Sequence, residues 1–428
     1  MRATIPAIAL FIAVTVTGCQ GGAQHGGLSL LPADRFAPAS SSYVMIHSFT
    51  GPPLGELPEA NPIIEAPGGL YGTTMRGGTM GACSQGCGTI FRLSHSKKGW
   101  SETTLASFDL THGAYPNAAL VADASGNLYG ATSVGGNLGV AYELLQGARR
   151  LRVLHNFQGG SDGQQPESNL IFDRSGKLYG TTVSGGDGGS GGGGTVYELS
   201  PSGRQWAEKI LYRFPAYYQS QGANPYAGVI FGRGGTLYGT TAYGGGSPAC
   251  GGGCGVAYEL TPAGKGSWKE SVLHAFDKSD GAVPVANLIP DARGNLYGSA
   301  NAGGLGGCQN GCGTLFALAR APHGRWSFSI IYDFQLQTGA GPSGNMVFDA
   351  SGNLYGTTVI GGTYGWGVVF KLAPQANHKW TYSVLHAFSS TPDGAEPSGL
   401  VRSADGRLYG TTIGGGASGL GTVFELKP

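Results

Sequence analysis

The chain has 428 residues, 80 of them glycine, with only 12% charged residues and a formal net charge of +1. A nucleic-acid partner needs a positive face to displace counterions, and neither a basic run nor a charged tail is present to serve one. Without a period so much glycine would suggest disorder. Here it recurs at fixed places inside a repeat, where it reads as turns and close backbone contacts.

Residues 1–18 read as an export signal. Arg2 is a minimal positive region, and 5–16 is an apolar run too short to span a bilayer. The run ends in Val16-Thr17-Gly18-Cys19, which resembles a bacterial lipobox. That resemblance implies cleavage before Cys19 and its acylation, making the membrane a partner through an N-terminal lipid. An ordinary secretory signal with an incidental cysteine is the alternative. Several acyl chains, at about 0.8 kcal/mol per buried methylene, would anchor the protein stably. Gln20 follows rather than Asp, which favours an outer membrane where the host has one. Residues 19–42, rich in Gly, Ala, Ser and Pro, read as a flexible tether.

The remainder, 43–428, is one unit written seven times. The tripeptide Leu-Tyr-Gly recurs at Tyr71, Tyr129, Tyr179, Tyr238, Tyr297, Tyr355 and Tyr409, at intervals of 58, 50, 59, 59, 58 and 54 residues. A period this long with several strands per copy marks a repeat architecture. In 268–318 the alternating stretch WKESVLHAF is followed by a short apolar run, 286–289. A tight turn at Asp291-Ala292-Arg293-Gly294 leads into NLYGSA, and GTLFAL completes the set. Four short antiparallel strands of this kind predict one blade, and seven copies predict an all-β, seven-bladed propeller.

The two ends of the chain predict how the ring closes. The last copy stops at Phe424-Glu425-Leu426, without an outer strand, whereas the first copy is preceded by SYVMIHSF (42–49), which is that strand. The N-terminal strand is therefore expected to join the last blade. Within Leu-Tyr-Gly-Thr-Thr, alternation puts Leu and Gly on one face and Tyr and the first Thr on the other. The glycine is expected to let a neighbouring sheet approach closely. Trp100, Trp206, Trp268, Trp326 and Trp380 each stand eight residues before a Phe, with Arg149 in the equivalent place before Phe157. Equal parity predicts that each Trp and its Phe share a face of an outer strand.

Tandem GxLYGTTxxGG…GTVFxL units behind an export signal resemble the GloVer-type choice-of-anchor tandem-repeat proteins, a bacterial surface group. The resemblance covers 43–428 and implies an exported, surface-anchored protein, with no activity attached to it. A monomer without cofactor or metal is expected.

Six cysteines form three C-x-x-x-C pairs, Cys83/Cys87, Cys250/Cys254 and Cys308/Cys312, each in a glycine-rich loop. Outside the cytoplasm such spacing reads as local disulfides. A four-thiolate zinc site built from two pairs is the alternative. His47, His155, His274 and His386 each lie two residues before an outer-strand Phe, in different blades, so they cannot converge on one metal and read as packing residues. Asp162, Asp280 and Asp393 precede Gly in loops expected on the glycine-rich face, where Asp-Gly is also simply a turn dipeptide.

No nucleophile elbow, phosphate loop or HExxH motif is present. Departures from the repeat are the better binding candidates: Tyr364 and Trp366 in the sixth glycine-rich loop, and Tyr217, Tyr218, Tyr226 and Tyr243 around the fourth copy. Exposed aromatics can stack on sugar rings or grip a protein. The expectation is a binding module for a glycan or envelope protein on the glycine-rich face. A polysaccharide hydrolase or lyase with acidic residues at the channel mouth, and a purely structural envelope protein, are the alternatives.

Overall fold

The computed structural model describes residues 41–65, 68–186, 192–203, 205–216, 220–321, 324–376 and 379–428. The signal, Cys19 and most of the tether lie outside these residues. Seven four-stranded antiparallel sheets form the blades of a propeller; the described residues add two short two-stranded ladders, Gly55–Glu56 with Arg76–Gly77 and Gly222–Ala223 with Tyr243–Gly244, and short 3₁₀ turns such as Gly160–Asp162 and Arg233–Gly235. Blade 1 comprises Ile63–Glu65, Gly69–Thr74, Thr89–Ser96 and Gly99–Ser107, from the inner strand to the outer. Blade 2 comprises Val121–Ala122, Leu128–Thr132, Val140–Leu145 and Arg150–Asn156. Blades 3 to 6 repeat the pattern from inner strands at Ile171–Phe172, Ile230–Phe231, Ile289–Pro290 and Val347–Phe348.

Blade 7 closes the ring as the sequence predicts. Its strands are Ala395–Arg402, Leu408–Gly414 and Thr422–Lys427, with Ser42–Ser48 as the fourth, running from Ser42 opposite Lys427 to Ser48 opposite Thr422. The N-terminal strand thus starts on the face of the D-x-x-G turns and ends on the face of the glycine-rich loops.

Two repeated glycines do different physical work. The glycine of Leu-Tyr-Gly does not admit a neighbouring sheet, as its parity suggested; it makes room for an aromatic ring of its own blade. A Cβ on Gly72 would lie 2.5 Å from Cζ of Phe91, its cross-strand partner, and one on Gly410 would lie 2.4 Å from Cζ of Phe424. The glycine that opens the third strand serves the junction between blades. A Cβ on Gly88 would sit 2.7 Å from Cδ of Pro116 in the next blade, and one on Gly421 would sit 2.5 Å from Cδ of Pro58, across the point of closure.

Around this contact a hydrogen-bonded latch forms. The residue before each proline has positive φ, for example Leu57 at 57°, Tyr115 at 57° and Val283 at 56°. Its N–H donates to the preceding blade: Tyr115 to Cys87 O at 2.9 Å, Val283 to Cys254 O at 3.0 Å and Leu57 to Leu420 O at 2.9 Å. The first Thr of Leu-Tyr-Gly-Thr-Thr adds a second tie, with Thr411 Oγ1 donating to Ala60 O at 2.9 Å and Thr181 Oγ1 to Pro225 O at 2.9 Å.

The outer strand departs from simple alternation. Register shifts leave one residue of each outer strand unpaired, such as Leu105, Leu211 and Ile46. A bulge reverses the facing of everything beyond it. Trp and Phe therefore do not share a face. In blade 3, Trp206 packs back on Tyr129 of blade 2 with ring centroids 6.1 Å apart, while Phe214 packs forward, edge to face, on Tyr258 of blade 4 at 5.1 Å. Phe49 on Phe91, at 5.2 Å, carries the same contact across the closure. Each such pair adds about 0.5–1.5 kcal/mol beyond its buried area. The tyrosine of the repeat also anchors the adjoining turn, Tyr129 Oη donating to Asp123 at 3.0 Å and Tyr355 Oη to Asp349 at 3.0 Å.

The three predicted disulfides are formed, Cys83–Cys87, Cys250–Cys254 and Cys308–Cys312. They occur in glycine-rich loops whose second cysteine offers its carbonyl to the latch of the next blade. Disulfides of this kind persist in extracellular or periplasmic surroundings. No helix among the described residues is long and apolar enough to cross a membrane.

Gly421→Ala should lower the melting temperature sharply. It combines a Cβ 2.5 Å from Pro58 with a φ of +94°, and each effect costs about 1–3 kcal/mol. Gly147→Ala, with nothing within 4 Å of its Cβ, is the matched control. Equal melting of the two in scanning calorimetry would contradict the latch.

Candidate functional site

The latch sets up the channel mouth. Each blade enters the axis through a segment x-Pro-x-small-x on the glycine-loop face, just before its inner strand. Proline fixes φ and the positive-φ residue before it turns the chain sharply, so the residue after each proline, and in blades 1, 3, 5 and 6 also the residue three places after it, meet around the axis. They line a cavity of about 120 Å³, with Glu59, Asn61, Asn117, Glu167, Asn169 and Tyr226 on one arc and Asn287, Ser343, Asn345 and Ser398 on the other.

Asparagines tie this ring together. Asn169 Oδ1 accepts the N–H of Ala119 at 2.7 Å, and Asn287 Oδ1 accepts that of Gly228 at 2.7 Å, each from the preceding blade. Asn345 Nδ2 donates to Asn61 Oδ1 at 2.8 Å, bridging blades 6 and 1 where blade 7 has a shorter segment. With the Oδ1 atoms engaged by the neighbouring blade, the amide NH₂ groups of Asn169 and Asn287 are left as donors for the lumen. Asn117 Oδ1 is buried without a hydrogen-bond partner.

Two glutamates supply the complementary chemistry. Burial pushes the Glu59 carboxyl up to about 7, with Arg76 pulling against it and Glu396 adding to it. Burial likewise pushes Glu167 to about 7, reinforced by the charge of Glu59 and opposed by a hydrogen bond from Asn117. Near neutrality each of the two carboxyls is about half protonated, so the mouth carries both donors and acceptors and less negative charge than two ionised glutamates would bring. This pair of carboxyl groups escaped the sequence reading. Its one trace is that both occupy the position after the repeated proline, at Pro58-Glu59 and Pro166-Glu167.

Of the aromatic residues singled out from sequence, Tyr226 lines the cavity. Trp366 is 44% exposed, and its carbonyl accepts the N–H of Glu396 at 3.1 Å, two residues before the cavity-lining Ser398. Tyr364 is 60% exposed in the same loop. Tyr243 instead pairs with Ala223 in a short ladder at the start of its loop and does not line the cavity. Tyr217 and Tyr218 lie outside the described residues. The loop aspartates Asp162, Asp280 and Asp393 do not form a binding set; each meets the histidine of its own blade, at 3.0, 2.8 and 2.9 Å.

Fold and site together define a closed repeat propeller with a polar axial mouth. The chain belongs to the Gloeobacter/Verrucomicrobia repeat family, which matches residues 79–309 and 305–428. Among solved structures it is similar to a putative 6-phosphogluconolactonase from Bacteroides uniformis, with 14% identity, 82% of this chain and 89% of that one covered, and a TM-score of 0.51. It is also similar to a protein of unknown function from Dyadobacter fermentans, with 12% identity, 92% and 98% covered and a TM-score of 0.44. A putative glucose dehydrogenase from Thermus thermophilus gives 18% identity, 73% and 96% covered and a TM-score of 0.44. Identities this low report the propeller fold alone. No curated protein matches the chain.

The two glutamates make a signed prediction. Both hold their protons up to about 7 in the folded state, against an ordinary value of 4.5. Folded protein therefore binds more protons than unfolded chain across that window, and their contribution to stability falls as pH rises through it. Glu59→Gln with Glu167→Gln should melt higher than wild type at pH 8 and show a shallower decline from pH 5 to 8. An unchanged profile in melting experiments would remove the buried pair.

Proposed function

We propose that the protein is an exported binding module that holds a neutral, polyhydroxylated ligand, such as the end of a glycan chain, in the channel mouth on its glycine-loop face. The observation that carries this reading is the convergence of carboxamides and partly protonated carboxyls on one cavity, offering both donors and acceptors. Sugar hydroxyls are both donors and acceptors, so such a mixed lining suits them. Tyr226 in the wall and Trp366 near the rim supply faces on which a sugar ring can stack. A second reading comes from the same glutamates, since carboxyls raised to about 7 are suited to general acid and base work on a glycosidic bond.

Calorimetric titration with neutral glucan, xylan and mannan oligosaccharides separates the two. The binding reading expects saturable uptake of at least one of these, several-fold weaker in Trp366→Ala and Tyr226→Ala and retained in the Glu59→Gln, Glu167→Gln double variant. The hydrolytic reading expects shortened oligosaccharides with wild type and none with that double variant. Binding confined to anionic polysaccharides would overturn the proposal.

The lipid anchor on Cys19 belongs to the same proposal. Several acyl chains on that cysteine would hold the protein stably on a membrane surface. Cys19→Ser should move the protein from the membrane fraction of a lipoprotein-processing host to the soluble fraction and abolish palmitate incorporation.

A further inference from the structure

At the periphery, neighbouring blades meet through matched side chains. The residue two before each outer-strand Phe faces the residue six before the Phe of the next blade. His47 Nε2 lies 2.9 Å from Glu102 Oε2, and Tyr212 Oη donates to Glu270 Oε2 at 3.0 Å. Elsewhere the pair is a stack, His274 on Phe328 at 3.6 Å and His386 on Tyr43 at 3.8 Å. Among the described residues, only the junction of blades 2 and 3 brings a histidine, its loop aspartate and a glutamate of the next blade together: His155, Asp162 and Glu208.

We propose that His155, Asp162 and Glu208 form a binding site for one divalent transition-metal ion, of which Zn²⁺ is the model case, clamping blade 2 to blade 3. His155 Nε2 lies 3.0 Å from Asp162 Oδ1 and 3.7 Å from Glu208 Oε2. The three ligand atoms all fall within 4.8 Å of one another. A tetrahedral ion with bonds of about 2.0 Å keeps its ligand atoms roughly 3.3 Å apart, between the two observed separations. One imidazole and two carboxylates form a donor set that borderline ions accept, whereas calcium takes oxygen alone. The side chains are 20%, 18% and 12% exposed, shielded yet reachable, so water can fill a fourth position.

Glu208 Oε1, buried without a hydrogen-bond partner, is a further oxygen close by. The Arg213 guanidinium, whose Nε donates to Ser161 O at 3.2 Å, is the nearby charge that binding must overcome.

The test is calorimetric titration of chelator-treated protein with zinc chloride at pH 7, in two buffers of different ionisation enthalpy. A Cys19→Ser background removes the thiol outside the three disulfides. One ion per chain should bind, with proton release and a rise in melting temperature. Glu208→Gln, which keeps the size of the side chain, should bind at least tenfold more weakly, as should His155→Ala. His274→Ala, whose third position holds Phe328, should bind as the background does. The proposal is overturned by an absence of saturable binding, by equal affinity in Glu208→Gln, or by a loss in His274→Ala.

Discussion

A glycine lying under the proline of the next blade is the contact on which the rest of this structure depends. No side chain fits between Gly421 and Pro58, or between Gly88 and Pro116. Because the gap is closed, the N–H of the residue before the proline reaches the carbonyl of the preceding glycine-rich loop, and the outer-strand Phe N–H reaches the glycine carbonyl, as Phe49 does to Gly421 at 3.0 Å. The junction is thereby defined by backbone atoms and one ring. That explains why blades of different length and side-chain content still join through the same backbone contacts, and why a ring of seven can close.

The same contact creates the candidate site. Turning the chain over the axis at a positive-φ residue delivers the side chain after each proline, and in blades 1, 3, 5 and 6 also the one three places after it, to one small volume. Backbone symmetry is retained while chemistry is free to vary, so Glu59, Asn117, Glu167, Tyr226, Ser343 and Ser398 occupy equivalent places. An asymmetric polar cavity thus arises from a nearly symmetric frame. The periphery follows the same logic with a different outcome. There the variable positions are filled by pairs that match across a junction, ion pair against ion pair and ring against ring, and at one junction a third group changes the chemistry.

Much of the architecture was readable because it is written in local spacing. The period of Leu-Tyr-Gly, the leftover strand at 42–49, the C-x-x-x-C pairs and the D-x-x-G turns each involve residues close together, or a vacancy matched by a surplus. Two inferences failed for reasons that spacing cannot reveal. Parity along the outer strand was correct up to Leu211 and its equivalents, where the bulge turns Phe214 away from the face of Trp206. The glycine of Leu-Tyr-Gly accommodates a ring from the adjacent strand of its own blade, and only the register of Gly72 against Phe91 shows it.

By itself the sequence determined the number of blades, the strand that seals them, the covalent links within loops and the absence of a familiar catalytic motif. Tertiary structure alone decided which side chains meet: Glu59 with Glu167 at the axis, and His155 with Glu208 between blades. Those partners lie on different blades, and their separation in the chain carries no record of their proximity. At the axis, proximity arises because the ring gathers positions that are equivalent in the repeat, and at the periphery because adjacent blades pack side by side.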